Sequence, residues 1–265
     1  MNNISLIHLS QSHLNLLDTC PPQFQRVYLE QLGTPLSPEK QEKLSWGNQF
    51  HQLMQQYELG LSVDLLVAKD KQMQNSLNAL INAVPSLRNP SQNSWKEAEH
   101  SRTLKFKGYL LTVIYDLLIA KPEKAEILDW KTYLKPENPQ KLANNWQTRL
   151  YLYILVETSD YLPEQISITY WFVKLPSQPQ SLTFFYDKDK HKQNHEDLKV
   201  LLNKFENWLN EYIQENINFP HSINCQINCP YSQLLGPEQS TSITLNKAEK
   251  NWLSIIEEIQ EVSLP

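Results

Sequence analysis

Three charged side chains lie within or directly after apolar stretches of the sequence. Asp116 interrupts the apolar run 110–120, and Asp129 and Lys131 follow the apolar pair 127–128. A carboxylate in so apolar a segment is costly unless it is paired or bound to a cation, so these residues are candidates for chemistry. Two carboxylates are suited to hold Mg²⁺ or Mn²⁺, and a nearby lysine favours hydrolysis of a phosphodiester.

The Asp-x-Lys spacing indicates a site only when both residues lie on a β-strand, not on a helix. On a predicted strand Asp129 and Lys131 project from the same face, and Trp130 points to the other, because side chains alternate with period two. Asp197 and Lys199 have the same spacing on a predicted helix, where residues two apart do not face each other. We therefore predict one site, with Asp116 brought beside Asp129 by a hairpin.

The elements around these residues follow from periodicity. Alternation from Trp95, a turn at Gly108 and two further apolar segments predict a three-stranded meander. The predicted order after it is a helix, two strands and a long helix, over 142–157, 165–175, 181–186 and 189–215. Helices precede the meander, and one that begins near Pro38 or Ser45 and ends near Leu59 contains His51. The order predicts an α/β (α+β) fold with a central mixed sheet flanked by helices.

Flanking motifs carry a family resemblance over roughly residues 5–235. They are Ser10-Gln11-Ser12, Cys20-Pro21-Pro22-Gln23-Phe24 with Tyr28-Leu29, Gly47-x3-His51, Asp116, Asp129-x-Lys131 and Gln147-x3-Tyr151. In this order they resemble the PD-(D/E)XK nuclease superfamily and, more narrowly, its RecB-like branch of RecB-family exonucleases and CRISPR-associated adaptation nucleases. The resemblance implies a restriction-endonuclease-like core and a metal-dependent deoxyribonuclease, either exonuclease or endonuclease, that hydrolyses single- or double-stranded DNA.

The resemblance also implies roles for individual residues. His51, Asp116 and Asp129 would bind Mg²⁺ or Mn²⁺ together with the Trp130 carbonyl, and Lys131 would be catalytic with the two aspartates. The remaining residues with implied roles in substrate binding or support are Gln147, Tyr151 and Glu99. Gln147 and Tyr151 would line the site and contact the DNA backbone, whereas Glu97 competes with Glu99 for the acidic position on the first core strand.

Two departures from the family pattern stand out. Val113 occupies a position, three residues before Asp116, where the family often has glycine. Several members hold a four-iron cluster on four cysteines, but this chain has only Cys20, Cys225 and Cys229, and Leu235 stands where the fourth is expected. Since such a cluster normally takes four thiolates, we do not expect an intact iron–sulfur cluster.

Composition bounds the remaining possibilities. A net charge of -5 and a pI near 5.8 argue against nucleic-acid binding by bulk charge alone. We find no signal-peptide pattern and no apolar run that would span a membrane, so we expect a cytoplasmic protein without a membrane partner. The motifs place the nuclease domain at 1–237 and a C-terminal helical extension at 238–265.

Two functions remain open at this stage. The first is an active nuclease in DNA repair, recombination or defence. The second is a weak or inactive nuclease-fold subunit that binds DNA or acts as a scaffold in a helicase complex, which Val113 and the incomplete cysteine set favour. A helicase or repair subunit is a candidate partner under either hypothesis.

Overall fold

The computed structural model describes residues 7–33, 35, 37–88, 93–133, 138–175 and 178–222. The predicted extension 238–265 and two of the three cysteines, Cys225 and Cys229, lie outside these residues. The chain divides into two compact units. Unit 1 contains Met1–His8 and Glu42–His195, and unit 2 contains Leu9–Gln41 and Glu196–Pro265.

The described part of the chain forms one six-stranded mixed sheet. Its strands are β1 (Ile7–Leu9), β2 (Trp95–Phe106), β3 (Tyr109–Lys121), β4 (Lys124–Lys131), β5 (Ile166–Phe172) and β6 (Gln180–Phe185). The order is β1-β3-β4-β5-β6, and β2 also pairs with β3. Strands β4 and β5 are parallel, whereas the pairs β2–β3, β3–β4 and β5–β6 are antiparallel. The predicted meander and mixed sheet are confirmed.

Nine α-helices accompany the sheet in the described residues, together with a π-helix at Gln25–Leu29 and a 3-10 helix at Pro163–Gln165. The α-helices are α1 (Gln11–Thr19), α2 (Pro21–Phe24), α3 (Pro38–Glu58), α4 (Asp64–Val67), α5 (Lys71–Ala83), α6 (Pro85–Arg88), α7 (Pro139–Asn144), α8 (Trp146–Glu157) and α9 (Lys188–Glu215). The prediction of one continuous helix over 142–157 is wrong, because the backbone of Asn145 is extended and separates α7 from α8. Its side chain caps α8 by accepting the Gln147 N–H at 2.7 Å.

The two faces of the sheet in unit 1 are covered by different helices. On one face, Leu128 and Trp130 of β4 are buried in a core cluster with Phe50 and Leu53 of α3. On the other face, Asp129 and Lys131 of β4 contact Gln147 of α8. Alternation along β4 therefore places Leu128 and Trp130 on the α3 face and Asp129 and Lys131 on the α8 face.

Unit 2 has its own aromatic core. Phe24 of α2 packs against Phe205 of α9 and against Phe219, with ring centroids 5.2 and 6.3 Å away. The buried Gln25 side chain accepts the Phe219 N–H at 2.7 Å and fixes the chain that follows α9. No helix in the described residues is long and apolar enough to cross a bilayer.

Candidate active site

Asp129 and Lys131 lie on the same face of β4 and form an ion pair. The Lys131 Nζ is 3.1 Å from Asp129 Oδ1, and both side chains are 2% exposed. Gln147 of α8 joins the two, because its Oε1 accepts from Lys131 Nζ at 2.8 Å and its Nε2 donates to Asp129 Oδ2 at 2.8 Å. Trp130 faces the opposite side, so strand alternation brings this acid and lysine together as predicted.

Asp116 lies where β3 and β4 separate. The last pair of that ladder is Leu117 with Leu128, and one step further the strands no longer pair. There the Asp116 carboxylate takes the place of a main-chain acceptor, since its Oδ2 accepts the Trp130 N–H at 2.7 Å. The same oxygen lies 3.2 Å from His51 Nδ1 of α3. Asp116 is therefore held between a strand and a helix.

A second acid joins this pair and completes a cluster of metal-ligating groups. Ligand atoms of His51, Glu99 and Asp116 all lie within 4.8 Å of one another. Glu97, the alternative to Glu99, points elsewhere and contacts His100 Nδ1 at 2.8 Å. Desolvation, followed by the Asp116 charge, raises the pKa of Glu99 to about 7, while the nearby His51 lowers it. Two crowded carboxylates of this kind form a site that favours a cation.

The cluster differs from the ligand set that the resemblance implied. Glu99, expected in a supporting place, is one of the three converging groups. Asp129 contacts Lys131 and Gln147, and its role as a metal ligand stays a prediction. Glu99 also has a φ of 53°, which is unfavourable for a residue with a side chain. Strained backbone of this type is common at functional sites.

A close helix–strand approach positions His51. A Cβ on Gly47 would lie 3.1 Å from the Thr132 Oγ1, so the glycine lets α3 approach the end of β4. His51 follows one turn later on the same helix face. Trp46, the residue before Gly47 on α3, stacks its ring on Phe50 with centroids 5.5 Å apart.

Tyr151 lies below the charged groups. It is 3% exposed and one turn beyond Gln147 on α8. Its pKa is raised well above the ordinary value by desolvation first, and then by the charges of Asp129 and Asp116, so the phenol is neutral. In this structure Tyr151 supports the inner wall of the site.

Three residues near the site were missed by the sequence analysis. Asn145 caps α8 and fixes Gln147, Thr132 contacts the Gly47 backbone, and the Tyr170 ring lies 5.1 Å from Lys131 Nζ. Only Asn145 had a signal, since asparagine is a favoured cap residue just before a helix. The other two depend on tertiary packing.

The departures from the family pattern lie outside the charged groups. Val113 is 1% exposed and pairs with Arg102 across the β2–β3 hairpin. Cys20 is buried at the start of α2 in unit 2. Its predicted relation to Cys225 and Cys229 stays a prediction, because those two are outside the described residues.

Comparisons with known proteins agree with this fold. A crystal structure of a protein from Eubacterium rectale, named provisionally as an exonuclease, is 11% identical with a TM-score of 0.53, over 91% of this chain and 92% of that chain. The structure of SSO0001 is 14% identical over 88% of this chain and 87% of that chain, with a TM-score of 0.37. No protein of curated function matches the sequence significantly. The model of the PD-(D/E)XK nuclease superfamily matches residues 8–234, and the chain belongs to that superfamily.

Proposed function

We propose that the protein is a divalent-metal-dependent DNA exonuclease of the RecB-like branch that acts in DNA repair, recombination or defence. The convergence of His51, Glu99 and Asp116 beside the Asp129–Lys131 pair carries the proposal. The motifs of the RecB-like branch and the name of the Eubacterium rectale neighbour support the narrower class. A helicase partner has no support among these observations and is not part of the proposal.

The three converging groups fit a hard divalent cation. Two carboxylates and one imidazole match the ligand preferences of Mn²⁺, and of Mg²⁺ with water in the remaining positions. A cation held there would supply Lewis-acid activation of the scissile phosphate and of the attacking water. His51, Glu99 and Asp116 are the residues that would hold it.

Lys131 is preorganised for the phosphate rather than for the cation. Asp129 and Gln147 hold its ammonium group at 3.1 and 2.8 Å, and both partners are fixed by β4 and by the start of α8. An ammonium group aimed in this way donates to a phosphate oxygen and stabilises the charge that develops there, without reorganisation during the reaction. Asp129 and Gln147 keep Lys131 oriented.

The test uses the two Asp-x-Lys pairs of the chain as experiment and control. Wild type, Asp129→Ala and Lys131→Ala are incubated with end-labelled single- and double-stranded DNA and Mn²⁺ or Mg²⁺. Asp197→Ala and Lys199→Ala on α9 are the matched controls. We expect loss of cleavage in the first pair of variants only, with products of single nucleotides or short oligonucleotides.

Three results would contradict the proposal. Equal cleavage in all variants would assign the activity to a contaminant or to another site. Cleavage that survives complete chelation of divalent ions would exclude the metal-dependent mechanism. Absence of cleavage in wild type, combined with DNA binding, would favour the scaffold hypothesis.

A further inference from the structure

The face of β3 that is covered changes at Asp116. Leu117 lies in the core cluster on the α3 face together with Phe50. Tyr115, two residues earlier, contacts α8 instead, since its hydroxyl donates to the Tyr151 carbonyl at 3.0 Å. Side chains two apart on a regular strand share a face, so the strand rotates by about half a turn between these residues.

Strand β2 changes face at the same level. Ala98 packs against the core cluster on the α3 face, whereas His100 stacks on Tyr115 and Arg102 donates to the Thr158 carbonyl at the end of α8, at 2.6 Å. The residue between Ala98 and His100 is Glu99, whose left-handed backbone marks the change. The hairpin therefore reverses its covered face at the level of the metal-ligating cluster.

The reversal leaves one side of the part of the β2–β3 hairpin over residues 100–115, the outer hairpin, open next to the candidate metal site. We call this side the open face. It consists of the cross-strand pairs Ser101–Ile114, Thr103–Thr112 and Lys105–Leu110. The β2 members are exposed and the β3 members are half-buried. The hydroxyls of Thr103 and Thr112 are 3.2 Å apart. The open face therefore presents mainly hydroxyl and aliphatic groups.

The charge of this hairpin is opposite to that of the whole chain. Residues 100–115 contain three basic side chains and no Asp or Glu, although the net charge of the protein is -5. Arg102 is used on the opposite side of the hairpin, where it bonds to Thr158. Lys105 is exposed at the far end of the open face, so no acidic residue of the outer hairpin repels a phosphate chain that leads to the site.

We infer that the open face binds the DNA strand that leads to the scissile phosphate, with Lys105 contacting a phosphate remote from the cut. The inference rests on the proposed nuclease function. Lys105 lies six residue steps beyond Glu99 along β2, which corresponds to about 20 Å. At about 3.4 Å of helix axis per phosphate of one strand, this distance spans about six nucleotides of a duplex parallel to the hairpin. Hydroxyl groups at Ser101, Thr103 and Thr112 are the intermediate hydrogen-bonding groups.

Binding measured without cleavage tests the open face directly. Fluorescence anisotropy is followed in EDTA with labelled DNA of about 30 nucleotides, single-stranded and duplex, at several salt concentrations. The variants are Lys105→Glu and Thr103→Glu, and the controls are Lys124→Glu at the exposed β3–β4 turn and Ser181→Glu on the exposed part of β6. We expect about tenfold weaker binding for the first two and a salt slope reduced by about 1 for Lys105→Glu.

A cleavage ratio separates this inference from the nuclease proposal. For each variant, kcat/KM on the long strand is divided by kcat/KM on a nitrophenyl nucleotide diester, which is too short to reach Lys105. The ratio should fall about tenfold in Lys105→Glu and remain at the wild-type value in the two controls.

Each outcome has one interpretation. Binding and ratio equal to wild type in Lys105→Glu and Thr103→Glu, with intact metal-dependent cleavage, would overturn the open face and leave the nuclease proposal standing. Weaker DNA binding in these two variants, with no cleavage by wild type, would support the open face as a DNA surface and reject the nuclease proposal.

Discussion

Asp116 and Asp129 occupy neighbouring strands one step beyond the same ladder, yet their surroundings differ. The Asp129 side chain is 2% exposed and is held by Lys131 and Gln147 on the α8 face. The Asp116 side chain is 12% exposed and lies with His51 and Glu99 near α3. Where the two strands separate, the Asp116 carboxylate joins the cluster of candidate metal ligands and the Asp129 carboxylate pairs with Lys131.

This difference assigns separate tasks to two residues of the same type. A carboxylate beside another acid gains from a cation, whereas a carboxylate beside a buried ammonium is already neutralised. Substitution of Asp116 should therefore damage metal binding, and substitution of Asp129 should damage the fold and the lysine.

The largest effect is expected for Asp116→Asn. The substitution removes a charged ligand from the cluster, so nuclease activity should fall at least about 10³-fold. Titration calorimetry with Mn²⁺ should show loss of the binding seen in wild type. Asp197→Asn on α9 is the control, and unchanged Mn²⁺ binding in Asp116→Asn would remove this aspartate from the metal site.

The next effect concerns stability and should be specific to Asp129. Asp129→Ala leaves the buried Lys131 ammonium without its carboxylate, so the free energy of unfolding should fall by about 3 kcal/mol. Urea denaturation measures this change, and Asp197→Ala should change stability by less than about 0.5 kcal/mol. The double variant Asp129→Ala/Lys131→Met should recover most of the loss, and failure to recover would show that the pair is not the cause.

Much of this site follows from the sequence because it depends on local periodicity. Strand alternation predicts that Asp129 and Lys131 share a face, and helix geometry dismisses Asp197 and Lys199. The mixed sheet likewise follows from the order of the elements. These features are fixed by neighbours in the chain, so composition and spacing were sufficient.

The remaining features of the fold and the site depend on local backbone changes that sequence periodicity does not predict. The reversal at Glu99 requires a φ of 53° inside a strand, and an alternating sequence pattern does not predict that backbone conformation. The choice between Glu97 and Glu99 depends on this reversal. The break at Asn145 was also missed, although asparagine is a favoured cap residue, because the helical pattern of 142–157 continues through it.

A smaller effect on activity is expected for Gln147→Ala. Gln147 contacts Lys131 and Asp129 but is not in the His51 cluster, so it acts as a positioning residue. We expect kcat to fall about 10- to 100-fold with unchanged Mn²⁺ affinity. Gln140→Ala on α7 is the control. A loss of Mn²⁺ affinity in Gln147→Ala would show that the two carboxylate environments are coupled rather than separate.

The smallest effect concerns the pH dependence of the metal-free protein. In the folded state the pKa of Glu99 is about 7, above the ordinary value of 4.5, so the folded protein holds this proton more tightly. Below pH 4.5 Glu99 is protonated in both states and costs nothing. As pH rises from 4.5 to about 7, the free energy of unfolding falls, and above pH 7 the full loss of stability is present.

Glu99→Gln should therefore stabilise the protein in EDTA at pH 8 and leave its stability unchanged at pH 4.5. The gain should be about 1 kcal/mol, because partial exposure of Glu99 reduces the full effect of the shift. Thermal or urea unfolding measures it, with Glu97→Gln as control. The same variant should bind Mn²⁺ more weakly, so one substitution would raise stability and lower metal affinity. Destabilisation by Glu99→Gln at pH 8 would show that the acid is held by neighbouring donors and is not awaiting a cation.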